Sequence, residues 1–322
     1  MNTSTHLDVR VARKANETAE IASFELVSAD GSALPPFSAG AHIDVHLPNG
    51  LVRQYSLCND STESHRYLIG VLRDAASRGG SQAMHDLIKE GDTLKISLPK
   101  NHFQLAHDAK RSVLLAGGIG VTPILCMAER LANVGAAFEM HYCTRSRERT
   151  AFVHRIENST FASKVTFHFD DLGPSNKLDV NSLLAAQSPD VDLYVCGPKG
   201  FMDAVLDTAR AQGWHEDRIH FEFFAAEVVR SDSDRTFDVK LASTGRVIPI
   251  GSKQTIVEAL LDAGVVIPTS CEQGVCGTCL TRVLEGEPDH RDSFLTPAEQ
   301  TANDQFTPCC SRAKSPRLVL DL

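Results

Sequence analysis

The stretch Ser270-Cys271-Glu272-Gln273-Gly274-Val275-Cys276-Gly277-Thr278-Cys279 places three cysteines in one short loop with the spacing C-x4-C-x2-C, and Cys309 follows thirty positions later. Such a group of thiols can hold a metal centre or form disulfides. Structural zinc usually takes two short C-x2-4-C pairs, whereas this loop carries three cysteines and the fourth is remote. The pattern therefore favours a metal centre other than mononuclear zinc.

The spacing of these cysteines is that of plant-type ferredoxins, in which four thiolates hold a [2Fe-2S] cluster. Bridging sulfides concentrate negative charge, so backbone N–H groups have to point at the sulfurs, and Gly274 and Gly277 allow the loop to wrap tightly. The predicted ligands are Cys271, Cys276, Cys279 and Cys309. The adjacent Cys310 is the alternative to Cys309, because either neighbour could supply the fourth thiolate.

The composition of the chain sets limits on its organisation and partners. With 322 residues it is long enough for two or three domains. A net charge of −9 argues against nucleic acid as a partner. Without a long apolar run or the apolar core of a signal peptide, the sequence predicts a cytoplasmic protein with no membrane segment.

The first third of the chain predicts an all-β domain. Apolar runs alternate there with turn residues such as Asp30-Gly31 and Pro48-Asn49-Gly50. Several short strands at this spacing are typical of an antiparallel barrel or sandwich. The expected strands are Ile21–Val27, His42–Leu47, Arg53–Leu57, Tyr67–Leu72 and Thr93–Leu98.

Farther along the chain, strands alternate with helical patterns, which predicts βαβ units and a parallel sheet. The expected strands there are Ser112–Ala116, Phe138–Tyr142, Val165–Phe169, Asp192–Val195 and Ile219–Phe223. The expected helices run from Gly120 to Leu131, near Arg149–Glu157, near Asn181–Ala186 and at Gly200–Ala211. The polar segment Glu227–Arg235 is predicted to be a linker to the domain that carries the cysteines.

Two glycine turns indicate a nucleotide site in the parallel sheet. The run Leu114-Leu115-Ala116-Gly117-Gly118-Ile119-Gly120-Val121-Thr122-Pro123 reads as strand, turn and helix, and Cys196-Gly197-Pro198 ends a later strand. Glycines allow a pyrophosphate close to the backbone at a helix N-terminus, although one such turn alone is as typical of a tight strand-to-helix link. Together, the two strand ends predict a crevice at the carboxyl edge of the sheet.

Two motifs in the first domain indicate a further phosphate-bearing ligand. Arg53 and Tyr55 alternate in Arg53-Gln54-Tyr55-Ser56, so on a strand they share one face, where one could bind a phosphate and the other pack on an aromatic ring. The segment Arg78-Gly79-Gly80-Ser81-Gln82 precedes a helical stretch, Ala83–Lys89, and its N–H groups could bind an anion.

These motifs in this order resemble the phthalate dioxygenase reductase family over essentially the whole chain, and the vanillate O-demethylase reductases are a sister group with the same parts. The resemblance implies an FMN-binding β-barrel at 1–106, an NAD-binding α/β domain at 107–228 and a plant-type ferredoxin domain of the β-grasp fold at 229–322.

The resemblance also implies roles for individual residues. The residues implied for FMN are Arg53, Tyr55, Ser56, Gly80, Ser81 and Gln82. Those implied for NADH are Gly118, Gly120, Thr122, Pro123, Arg145, Ser146, Cys196, Gly197 and Pro198. Phe224 is implied beside the flavin, so the surroundings of hydride transfer would be Thr122, Cys196 and Phe224, with no residue acting as acid or base.

The sequence predicts the cluster more definitely than it predicts which nucleotide, NADH or NADPH, the chain binds. No acidic residue lies at Cys143–Arg147 to bind the ribose 2′-hydroxyl of NADH. Arg145, Arg147 and Arg149 could instead attract the 2′-phosphate of NADPH. The resemblance implies NADH.

The resemblance implies a monomeric electron-transfer reductase that serves a Rieske non-haem iron oxygenase. A hydride carries two electrons and the cluster accepts one, so a flavin has to divide the pair. Phthalate is the expected substrate of the partner, and vanillate or another O-demethylase substrate is the alternative. Docking is expected near Glu272 and Gln273, with Asp289, His290 and Arg291 as further candidates.

The same motifs are compatible with two functions that need no oxygenase. One is a reductase that acts by itself on a small acceptor such as a quinone or a ferric chelate. The second is a non-enzymatic redox sensor that uses the cluster as a switch. The exposed position expected for the cysteine loop and the lack of a substrate domain in the sequence favour the oxygenase reductase over the first. The sequence shows neither a basic patch nor a helix-turn-helix pattern, which disfavours the second.

Overall fold

The computed structural model describes residues 6–75, 79–106, 109–224, 231 and 233–322. Within these ranges the chain separates into two compact units, Met1–Phe224 and Ala225–Leu322, and each is described by itself. No helix in these ranges has the length and apolar character needed to span a bilayer.

The first part of the N-terminal unit is an antiparallel sheet of six strands in the order β4-β3-β6-β1-β2-β5. An antiparallel bridge from Leu57, just after β4, to Ile69 in β5 joins the two edge strands, so the sheet closes into a barrel rather than a sandwich. The helix α1 lies between β5 and β6. These elements are β1 His6–Asn16, β2 Ile21–Ser28, β3 His42–His46, β4 Val52–Ser56, β5 Tyr67–Leu72, α1 Gly80–Asp86 and β6 Thr93–Ser97.

The second part of the same unit is a parallel sheet of five strands in the order β11-β10-β7-β8-β9. Strands β7 and β10 are neighbours although they are far apart in sequence, so their glycine turns lie side by side at the carboxyl edge. The strands are β7 Arg111–Gly117, β8 Ala137–Thr144, β9 Val165–Phe169, β10 Val191–Cys196 and β11 Ile219–Glu222. The helices are α2 Val121–Asn133, α3 Val153–Glu157, α4 Val180–Ala185 and α5 Lys199–Ala211.

Barrel and parallel sheet share one apolar core, which fixes their mutual position inside the N-terminal unit. Ile21, Cys58 and Phe103 of the first part are buried against Ile124 and Met127 of α2. A half-buried Arg155–Glu129 ion pair of 2.7 Å, between α3 and α2, lies beside Cys58. The barrel is therefore held against the edge of the sheet where the glycine turns lie.

The C-terminal unit has a mixed sheet in the order β13-β12-β18-β14-β16, with a small β15–β17 ladder beside it. Its core packs α6 onto the sheet, and Cys279, Cys309 and Cys310 belong to that core. The strands are β12 Phe237–Leu241, β13 Val247–Ile250, β14 Thr281–Glu285, β15 Pro288–Asp289, β16 Gln305–Phe306, β17 Arg312–Ala313 and β18 Arg317–Leu320. The helices are α6 Ile256–Asp262 and α7 Pro297–Ala302.

Most predicted elements are present, and the differences have physical causes. The longest strand, β1, is not evident in the sequence because only Val9 and Val11 of it are fully buried, so its apolar alternation is short. The helix predicted from Ala83 begins at Gly80 instead. Position 107 and the predicted boundary between 228 and 229 lie outside the described residues, as do 227–230 and 232 of the predicted linker. The three domain ranges therefore stay a prediction.

Candidate redox sites

The four predicted cluster ligands lie close together in the C-terminal unit. Their side chains are buried, with exposed fractions of 3–8%. The Cys271 thiol is within hydrogen-bonding reach of those of Cys276 and Cys309, and Cys309 is within the same reach of Cys279. The remote cysteine of the sequence is thus brought to the three-cysteine loop.

The backbone of this loop suits thiolates. Gly274 and Gly277 have φ of 73° and 68°, the left-handed region that glycine adopts without strain. The N–H of Gln273 donates to the Cys271 sulfur and the N–H of Thr278 donates to the Cys276 sulfur, each over 3.4 Å. Donors aimed at buried sulfurs favour the negatively charged form, as a thiolate-held cluster requires.

The arrangement also separates Cys309 from Cys310. The Cys310 sulfur lies 3.3 Å from the Thr307 hydroxyl and 3.7 Å from the Thr307 carbonyl oxygen, and it is within hydrogen-bonding reach of the Cys309 thiol. Cys309 is also within reach of Cys271 and Cys279, which favours it as the fourth ligand. Among the described residues, no three or more His, Cys, Asp or Glu side chains could hold a single metal ion.

The polar turn after the loop is largely internal. Arg291 is 15% exposed, and its guanidinium bonds Asp234 at 2.6 Å and Asp289 at 2.7 Å. His290 is 7% exposed. These side chains contact other residues of the domain. They therefore have little accessible surface for the docking role predicted from the sequence.

The candidate flavin residues lie on β4 and at the start of α1. The side chain of Arg53 packs directly over Gly80, where an added Cβ would lie 2.6 Å from the Arg53 Cγ. Tyr55 packs against the barrel core, and burial raises the pKa of its hydroxyl. Gly80, Ser81 and Gln82 form the first turn of the helix, and the Ser81 hydroxyl oxygen accepts the N–H of Asp74 over 3.2 Å. Arg78 lies outside the described residues.

The candidate nucleotide residues line the carboxyl edge of the parallel sheet. Gly118–Gly120 forms a short 3-10 turn, and Thr122 and Pro123 lie buried in the first turn of α2. The Thr122 hydroxyl donates to the Ile119 carbonyl over 3.1 Å. Gly120 lies so close to the Cys196 carbonyl that a Cβ would overlap it. Gly120 therefore allows the close approach between the helix α2 and the neighbouring strand β10.

The outer part of this edge carries the arginines. The Arg145–Ser146 turn is braced because the Thr150 hydroxyl donates to the Ser146 carbonyl over 2.8 Å. Arg147 and Arg149 pair with Glu157 and Glu20 at 2.6 and 3.0 Å. These two guanidinium groups are thus neutralised, which reduces their attraction for a 2′-phosphate. Phe224, 36% exposed, is the last described residue before 231.

A carboxylate that no sequence motif singled out joins the two halves of the N-terminal unit. Glu222, at the end of β11, accepts a hydrogen bond from the Ser56 hydroxyl of the barrel over 3.3 Å. It lies 4.0 Å from His42 and next to Cys196 in the ladder. Burial raises the pKa of Glu222 to about 7 and lowers that of His42 to about 4. The only signal in the sequence is an acidic residue inside the apolar strand Ile219–Phe223.

Glu222→Gln should change how stability depends on pH. A raised pKa means that the folded unit binds this proton more tightly, so the stabilisation is complete below pH 4.5 and is lost as the pH rises through 7. The parent chain should therefore lose up to about 3 kcal/mol of unfolding free energy relative to Glu222→Gln between pH 5 and pH 8. Urea unfolding of flavin-free protein, followed by the single tryptophan, Trp214, measures this in the N-terminal unit.

Glu216→Gln is the control for this pH series. Its carboxylate is exposed, and the pairing with Arg210 lowers its pKa, so it stays ionised over the whole range. A plot of its unfolding free energy against pH should run parallel to that of the parent. A Glu222→Gln curve that also ran parallel would contradict the expectation.

Comparisons with known proteins agree with these sites. The family of 2Fe-2S iron-sulfur cluster binding domains matches residues 239–314. Vanillate O-demethylase oxidoreductase of Pseudomonas putida is 56% identical over 98% of this chain and 100% of its own length. The structure of phthalate dioxygenase reductase, described as modular for electron transfer from pyridine nucleotides to [2Fe-2S], is 42% identical, covers 98% of both chains and has a TM-score of 0.77.

A self-sufficient cytochrome P450 monooxygenase contains a similar part. It is 36% identical over 98% of this chain with a TM-score of 0.86, but the match covers 41% of the P450 chain. The shared part is therefore the reductase arrangement and not the oxygenase.

Fold and sites together define an iron–sulfur oxidoreductase in which a barrel and a parallel α/β domain are joined to a ferredoxin domain. The chain belongs to the phthalate dioxygenase reductase family, together with the vanillate O-demethylase oxidoreductases. The matches confirm the predicted fold class, the oxidoreductase class and the cofactor set of FMN, a [2Fe-2S] cluster and NADH. Several relatives are named as reductases of oxygenase systems, among them phthalate dioxygenase reductase of Burkholderia cepacia.

The preference for a phthalate system needs correction. Identity is 56% to the vanillate relative and 42% to phthalate dioxygenase reductase, so the alternative is better supported.

Proposed function

We propose that this chain is the NADH-dependent reductase of a Rieske-type oxygenase that demethylates vanillate or a related methoxylated aromatic acid. The observation that carries the proposal is the convergence of Cys271, Cys276, Cys279 and Cys309 in a chain that is 56% identical, end to end, to a vanillate O-demethylase oxidoreductase. We propose further that it acts as a monomer in the cytoplasm, a reducing compartment in which cysteines serve as thiols and metal ligands rather than in disulfides.

In this proposal the flavin is held by the barrel. Arg53, which packs across Gly80, would pair with the FMN phosphate together with the N–H groups and hydroxyl at Ser81 and Gln82. Tyr55 would pack on the flavin from the same face of β4. Ser56, held by Glu222, would present its hydroxyl toward the ring, because the carboxylate restricts its rotation.

The nicotinamide nucleotide would bind at the carboxyl edge of the parallel sheet. Gly118, Gly120, Thr122 and Pro123 would hold the pyrophosphate at the start of α2, and Cys196, Gly197 and Pro198 would border the nicotinamide ring. Arg145 and Ser146 would face the adenosine ribose. Phe224 would cover the flavin until the nicotinamide displaces it, while Thr122 and Cys196 line the path of the hydride.

When bound, FMN accepts a hydride from NADH and releases electrons singly, which the [2Fe-2S] cluster can carry. The protein provides position and exclusion of water, since no residue at the edge has to transfer a proton to the nicotinamide. Glu222 lies inside the unit, where it orients Ser56, and the neighbouring His42 is kept neutral by its burial.

Reconstitution with a purified oxygenase tests this function. NADH-driven formaldehyde release from vanillate should require both this chain and a vanillate O-demethylase oxygenase, and should stop when either is omitted. The oxygenase of a phthalate dioxygenase is the matched comparison, and its NADH-driven turnover with this chain should be slower. Equal turnover with a P450 monooxygenase, or NADH oxidation that does not depend on any oxygenase, would contradict the proposed partner.

A further inference from the structure

One short segment of the C-terminal unit contacts both glycines of the cysteine loop. The N–H of Ser293 donates to the Gly274 carbonyl over 3.0 Å. An added Cβ on Gly274 would overlap the Cys310 sulfur and lie 2.9 Å from the Cβ of Asp292, and one on Gly277 would overlap the ring of Phe294. The segment Asp292–Phe294 therefore packs against the cysteine loop at its two glycine turns, Gly274 and Gly277.

Asp292 is an unusual residue to place there. Its side chain has no exposed surface, and one carboxylate oxygen, Oδ2, accepts the N–H groups of Phe294 and Leu295 over 3.2 and 2.8 Å. The other oxygen, Oδ1, is buried and has no hydrogen-bond partner among the described residues. A carboxylate in this situation is costly, so its retention beside the loop points to a use.

His290 faces the unpaired oxygen. Its Nδ1 lies 3.6 Å from Asp292 Oδ1 and is also buried without a hydrogen-bond partner in the described part, while its Nε2 lies 3.2 Å from the Asn303 side-chain oxygen. The cation next in sequence, Arg291, bonds Asp234 and Asp289. The buried charge of Asp292 is therefore left close to the cysteine loop with a neighbouring imidazole as its partner.

We propose that Asp292 is a positioning residue for the [2Fe-2S] cluster, fixing the Gly274 turn and keeping the reduction potential of the cluster low. The inference rests on the proposed function, because it requires that the four cysteines hold the cluster. Cluster potentials depend on net charge, hydrogen bonds to sulfur and exposure. A buried negative charge opposes the arrival of an electron, and it does so strongly where the surroundings have a low dielectric constant.

Spectroelectrochemical titration of the intact, cluster-loaded chain tests the inference. Asp292→Asn keeps an oxygen for the N–H of Leu295 and removes the charge. It should raise the cluster midpoint potential so that the equilibrium constant for reduction increases about tenfold, which is about 59 mV for one electron. Asp289→Asn is the matched control, since it removes the same charge from the same segment at a carboxylate that is 31% exposed and bonded to Arg291. Its potential should stay at the parent value.

Asp292→Ser is the second variant. The serine side chain is smaller and uncharged, and its hydroxyl oxygen can also accept a hydrogen bond from the N–H of Leu295. An upward shift in either variant beyond that of Asp289→Asn supports the inference. An unchanged potential overturns it, and so does failure of both variants to retain the cluster, which would make Asp292 a folding residue only. Failure of the proposed function looks different, since the parent chain itself would then lack the visible bands of a cluster.

Discussion

Cys309→Ser should abolish the cluster, whereas Cys310→Ser should keep it. The Cys309 thiol lies within reach of Cys271 and Cys279, whereas the Cys310 sulfur contacts Thr307 and Cys309. A serine at 309 replaces a thiolate ligand, so the iron content should fall from about two per chain to near zero. Oxygenase-dependent turnover should fall by more than about 100-fold, since even residues outside the ligand set commonly cost 10–100-fold.

Three measurements separate the two variants. Iron analysis and visible absorption report the cluster, and stopped-flow reduction of the flavin by NADH reports the N-terminal unit alone. Flavin reduction should keep the parent rate in both variants, because neither cysteine belongs to that unit. If Cys310→Ser lost its iron while Cys309→Ser kept it, the assignment of the fourth ligand would be reversed.

The cluster could be predicted from the sequence because its ligand set is mostly local. Three of the four cysteines lie within one loop, and the conformations at Gly274 and Gly277 are those that glycine is needed for. Spacing places the fourth ligand at Cys309 or its neighbour Cys310, and the choice between them depends on which way the two adjacent side chains point. That direction is set by Thr307 and the packing of the turn.

The flavin and nucleotide sites were less predictable because they are assembled from distant segments. Ser56 and Glu222 are separated by 166 positions, and no local pattern links them. Nor could the neutralisation of Arg149 by Glu20 of the barrel be foreseen, although it weakens the NADPH alternative. The alternation in β4 did predict that Arg53 and Tyr55 share a face, since that depends on the strand alone.

The segment Asp289–Asp292 is a further case in which contacts with distant segments could not be predicted from the sequence. The run of polar residues from Asp289 to Asp292 is typical of an exposed turn, and docking is a further candidate role for Asp289, His290 and Arg291. Arg291 instead pairs with Asp234, 57 positions earlier, and Asp292 lies fully buried under the cysteine loop. A run of charged residues thus predicts an exposed position only when no residue from another segment pairs with them.

Gly120→Ala should uncouple NADH from the flavin without affecting the cluster. Its backbone φ of −61° is ordinary, so alanine introduces no conformational strain. The new Cβ would, however, overlap the Cys196 carbonyl, and the backbone of α2 has to move away from β10. Both proposed walls of the nicotinamide site shift apart, and a displacement of about 1 Å can cost about 100-fold in rate. Anaerobic stopped-flow measurement of flavin bleaching should show a loss of this size in reduction by NADH.

Gly200→Ala provides the control, since Gly200 lies in α5 of the same domain with no atom near its added Cβ. Alanine is also the better helix former there, so this variant should fold at least as well as the parent and reduce its flavin at the parent rate. Chemical reduction by dithionite should remain fast in both variants, because it does not use the nucleotide edge. Parent-like reduction by NADH in Gly120→Ala would mean that the nicotinamide binds elsewhere, and the contact between Gly120 and Cys196 would then serve only to pack α2 against β10.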